Sequence, residues 1–119
     1  MILQDIHYEQ LRNTHRSVAD TRRRLLEKLS ELDKEISKYY HKLEKSDVEE
    51  MSKETFLRGL QETLRKRRVV KEELRGINAI YDTTRKSVEN LNESLQRTRN
   101  KSEKTREQLN TRLTIFEVF

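Results

Sequence analysis

Two stripes of apolar residues, each spaced alternately by three and four, run through most of this chain. The first passes through Tyr8, Leu11, His15, Val18, Arg22, Leu25, Leu29, Leu32, Ile36, Tyr39 and Leu43. The second passes through Phe56, Leu60, Thr63, Arg67, Val70, Leu74, Ile77, Tyr81, Thr84, Val88, Leu91 and Leu95. Written as heptads, Tyr8 and Leu60 are a positions and Leu11 and Phe56 are d positions. Heptads sustained this long, with charged outer positions, predict coiled-coil helices and argue against a disordered polar chain.

The phase breaks in "EKSDVEEMSKE". Residues 46–54 carry one positive and four negative charges. Ser46 with Glu49 reads as a capping box and Ser52 as a second cap, with acids favoured in a first helical turn by the helix dipole. The expected organisation is a first helix over 1–45, a connection over 46–54, a second helix over 55–97 paired with the first, and an overhanging segment over 98–119. The fold class is therefore all-α, a long antiparallel two-helix hairpin whose second helix exceeds its mate.

In an antiparallel pair, a residues face d residues and the numbers of facing residues have a constant sum. A sum of 99 pairs Leu43 with Phe56, Tyr39 with Leu60, Leu29 with Val70, Leu25 with Leu74, Val18 with Tyr81, Leu11 with Val88 and Tyr8 with Leu91. Its midpoint falls inside the break. Lys28 then meets Glu73 and Glu35 meets Lys66, while Arg12 facing Arg85 counts against the scheme. Gly59 and Gly76 lie off the seam, each weakening a helix by ~1 kcal/mol relative to alanine. A break at Gly76 would instead give three helices, the main structural alternative.

Several seam positions are polar: His15, Arg22, Thr63, Arg67 and Thr84. Such residues fix register at some cost in stability. The register leaves about twenty residues after Thr98 without an intrachain partner; if helical, they project ~30 Å. Leu109, Leu113, Ile115, Phe116 and Phe119 supply apolar anchors there, flanked by Arg99, Lys101 and Arg106. The expected occupant is another protein with an acidic-rimmed apolar groove. A second apolar set, Leu26, Tyr40, Leu57 and Leu64, occupies e positions on one side of the hairpin, as expected of a homodimer interface.

Composition narrows the function classes. The chain has 119 residues, 39% charged, with no cysteine and no proline. Without cysteine there is neither a disulfide framework nor a thiolate metal site. No apolar run approaches the ~20 residues of a membrane span, and the opening "MILQDIHYEQ" does not read as a signal peptide; a cytoplasmic location is expected. No nucleophile and base, phosphate-cradling glycine loop or metal cluster stands out, so neither catalysis nor a cofactor is expected. Helix spacing strings His7, His15 and His41 too far apart to share an ion.

The net charge of +5 keeps a rival open. Arg22, Arg23 and Arg24, with Arg65, Lys66, Arg67 and Arg68, form basic runs that would neutralise phosphates in a mostly nonspecific nucleic-acid complex. Interspersed acids and the lack of aromatic stacking platforms weigh against it. In outline, a charged hairpin with one longer helix resembles the stalk proteins of flagellar and type III secretion ATPases, in architecture alone. The expectation is a non-enzymatic coiled-coil interaction protein, whether adaptor, spacer or small inhibitor, that binds its partner through the carboxyl-terminal extension.

Overall fold

A helix in isolation gains little from propensity, so long polar helices need a partner along an apolar face. The computed structural model, which describes residues 2–45 and 53–119, supplies that partner within the chain. Helix α1 spans Ile2–Glu44, α2 spans Lys53–Leu109 and a single turn, α3, spans Ile115–Val118. The long helices pack against each other as a helical hairpin, and no strand occurs among the described residues. The expected caps Ser46, Glu49 and Ser52 lie outside those residues. Helix α2 runs unbroken through Gly76, so the three-helix alternative with its break there does not occur.

The contacts divide the chain into two units, one of residues 19–80 and one of residues 1–18 with 81–119. In the 19–80 unit, Leu32 and Ile36 of α1 and Phe56, Thr63 and Leu74 of α2 are buried. All five belong to the predicted stripes. The Tyr39 and Phe56 rings meet edge to face at 5.4 Å, an arrangement aromatic quadrupoles favour. In the other unit Tyr8, Leu11, Val18, Tyr81, Val88, Leu91 and Leu95 are half-buried, a thinner seam made of the same pattern.

Polar contacts fix the antiparallel register within each unit. His15 Nδ1 lies 2.8 Å from Thr84 Oγ1, and their numbers sum to 99. Arg22 Nε donates to Asn78 Oδ1 at 2.8 Å, and Arg67 Nε donates to Asp33 Oδ1 at 2.6 Å. The buried Thr63 hydroxyl donates to the Gly59 carbonyl at 2.9 Å. Each of the five polar seam residues thus has a partner, which removes the main penalty for placing it there. Thr84 also donates to the Tyr81 carbonyl at 3.1 Å.

The flanking charges arrange themselves differently from the expected cross-helix pairs. Lys28 pairs with Glu31 and Lys66 with Glu62, each within its own helix. Local i,i+3 and i,i+4 geometry brings such side chains together without ordering a second helix. Arg12, expected to face Arg85, likewise pairs with Glu9 and lies 5.6 Å from the Tyr8 ring centre.

Candidate interaction surfaces

The longer α2 does not continue as a straight projection to the last residue. It stops at Leu109 because Asn110 takes a left-handed backbone, φ 52°. The Thr111 N–H then donates to the Arg106 carbonyl at 3.1 Å, and the Asn110 N–H to the Glu107 carbonyl at 3.2 Å. This pair of bonds defines a Schellman motif, which satisfies carbonyls that a helix end otherwise leaves open. Asparagine tolerates the left-handed region better than other non-glycine residues.

Beyond the turn, Leu113, Thr114, Ile115 and Val118 line a shallow cleft together with Leu3, Gln4 and Arg106. Residues 110–119 therefore form a hook folded back toward the start of α1, with Ile115 half-buried. Of the expected apolar anchors, Leu109, Phe116 and Phe119 do not line this cleft. Leu109 is 70% exposed, Phe116 55%, Val118 71% and Phe119 92%, and Leu113 is exposed as well. Of the flanking cations, Arg99 forms an ion pair with Asp5, Arg106 is half-buried beside the cleft and Lys101 is exposed. The Arg99–Asp5 contact extends cross-helix pairing one residue past the expected start of the overhang.

In the 19–80 unit, Leu26, Tyr40, Leu57 and Leu64 are all exposed. The basic runs differ from each other. Arg22 is taken up by Asn78, and Asp20 accepts both Arg23 and Arg24. The Arg23 hydrogen bond, reinforced by the Arg24 charge, holds the Asp20 carboxyl below the usual aspartate range, and Asp20 raises Arg23 in return. The second run contributes to a groove lined by Gln61, Leu64, Arg65, Arg67, Arg68, Lys71, Glu72 and Arg75.

His7 is exposed, His15 is engaged in the seam and His41 lies 3.8 Å from Glu44. Among the described residues no group of three or more histidines and acids is placed to hold a metal, and no helix is long and apolar enough to cross a membrane. Comparison with protein families, with curated proteins and with solved structures finds no match to this chain.

Four features of these surfaces escape the heptad reading: the Asn110 turn, the seat beside Leu3, the exposure of Val118, and the addition of Lys71 and Arg75 to the basic run. Asn110 carries a legible signal, since asparagine directly after the last periodic leucine is a helix stop. The other three depend on chain reversal or on which cations local acids leave unpaired.

Proposed function

We propose that this chain is a non-enzymatic helical-hairpin interaction protein that binds another protein through its carboxyl-terminal hook. The carrying observation is the exposure of Phe116 and Phe119 on the hook and of Leu109 at its root, while Leu113, Ile115 and Val118 line the cleft beside Leu3. Large apolar side chains held on an ordered turn lose little conformational freedom on binding, and aromatic residues dominate interface energetics. The hairpin acts as the scaffold and the hook as the anchor. The partner presents an apolar groove; acids at its rim suit Lys101 and Arg112, both exposed.

The nucleic-acid reading is the rival: Asp20 offsets part of the charge of Arg23 and Arg24 in the first basic run, and the second run keeps its excess of cations. The test is affinity capture with the full chain and with the double variant Phe116→Ser, Phe119→Ser, in nuclease-treated extract. At about 0.5 M salt, where charges are screened beyond ~4 Å, the native chain retains a protein and the variant releases it with helicity unchanged. Equal retention by both chains removes the hook from the interface, and retention that nuclease abolishes favours nucleic acid.

A further inference from the structure

The groove on α2 in the 19–80 unit does not belong to the hook and is not consumed by the seam. Its lining includes five cations, Arg65, Arg67, Arg68, Lys71 and Arg75, and one acid, Glu72. Only Arg67 is matched by an acid across the seam, at Asp33. Leu64 lines the same groove, and Leu57 stands one heptad before it on the same face of the helix. Leu57 and Leu64 are 61% and 42% exposed. Two exposed leucines followed by an excess of positive charge thus share one strip of α2 from Leu57 to Arg75, about 27 Å at 1.5 Å per residue.

We infer that this strip docks an acidic amphipathic helix of a partner protein, with leucine-like residues over Leu57 and Leu64 and glutamates or aspartates facing Arg65, Arg68, Lys71 and Arg75. Charge complementarity selects this occupant over a second copy of the chain. Asp20, Glu27, Glu31, Asp33, Glu54 and Glu62 already pair with cations of the same chain. In a symmetric pair of copies, strip against strip sets arginine on arginine. The apolar strip and the single Glu72 also distinguish the surface from a phosphate-tracking face, which lacks use for Leu57 and Leu64.

The probe is a synthetic helix of about 20 residues, one heptad face leucine and flanks glutamate, compared with the same helix carrying lysine flanks and with a DNA duplex of about 20 base pairs. Binding to the full chain is followed by fluorescence anisotropy. The glutamate peptide is expected to bind at least about tenfold more tightly than the lysine peptide, since like charges oppose docking. Leu64→Glu and the pair Arg68→Glu, Arg75→Glu each weaken it by about tenfold or more with the circular dichroism spectrum retained. Phe116→Ser leaves it unchanged, which separates this surface from the hook. Three results overturn the inference: peptide affinity independent of flank charge, DNA bound more tightly than the glutamate peptide, or a chain dimer in sedimentation that Leu64→Glu dissociates.

Discussion

The two glycines of α2 have opposite surroundings, and their substitution separates them. A Cβ on Gly76 meets nothing within 4 Å, whereas one on Gly59 falls on the Tyr39 ring, 3.1 Å from its Cζ and closer to its hydroxyl. Gly76→Ala is therefore expected to raise stability by up to ~1 kcal/mol through helix propensity. Gly59→Ala gains less or loses stability, because Tyr39 is held against Phe56; thermal unfolding of both variants checks the contrast. At Asn110, whose φ is 52°, replacement by glycine retains the hook and replacement by valine loosens it. Amide exchange in residues 111–118 reads that difference while α1 stays protected. Asp20 titrates below the ordinary aspartate range, first through its Arg23 hydrogen bond and then through Arg24. Its contribution to stability is thus present above the unfolded-chain value and disappears as pH falls through the lower folded value. A carboxyl NMR titration should show the depressed value, and Arg23→Gln should move it upward. The roles of Asn110 and Gly59 lay differently within reach of sequence reasoning. Asn110 matches a helix-stop signal in the sequence, while the space Gly59 leaves is set by a tyrosine on the other helix.

Helix pairing was the most legible level of this protein. The seam residues Leu32, Ile36, Phe56 and Leu74 are the buried apolar side chains among the described residues, and all four stand in the stripes read from periodicity alone. Replacing Leu32 or Phe56, which are 1% and 2% exposed, removes most of the packing at one layer. Leu32→Ala is expected to cost about 2–5 kcal/mol and Phe56→Ala about 3–5 kcal/mol in denaturant unfolding. Truncating exposed Leu57 should cost far less, since it loses little burial. Charge partners were less legible because long side chains choose among several neighbours. Lys28 and Lys66 favour acids one turn away in their own helices, whereas Arg67 reaches Asp33 and Arg99 reaches Asp5 across the pair. The end of α2 was less legible in the heptad pattern. Heptad phase continues through Leu109 into Phe116, but backbone conformation at Asn110 stops the helix before that phase can be used.

At the scale of the whole molecule, the antiparallel register decides which residues face the seam and which remain available to partners. It leaves Leu57 and Leu64 outside the seam beside the α2 cations, and it brings the start of α1 alongside the part of α2 from which the hook departs. No catalytic arrangement was expected from sequence, and the proposed role rests on surfaces that fold alone does not assign. The register is tested by nitroxide spin labels on cysteine pairs, which the cysteine-free chain accepts without background. One pair, Leu11→Cys with Val88→Cys, reports on one unit; another, Leu29→Cys with Val70→Cys, reports on the other. Each doubly labelled chain, diluted in unlabelled protein, is predicted to show strong dipolar broadening from labels held on facing seam positions. Spectra equal to the sum of the single-label spectra, or broadening that dilution removes, would contradict intrachain antiparallel pairing.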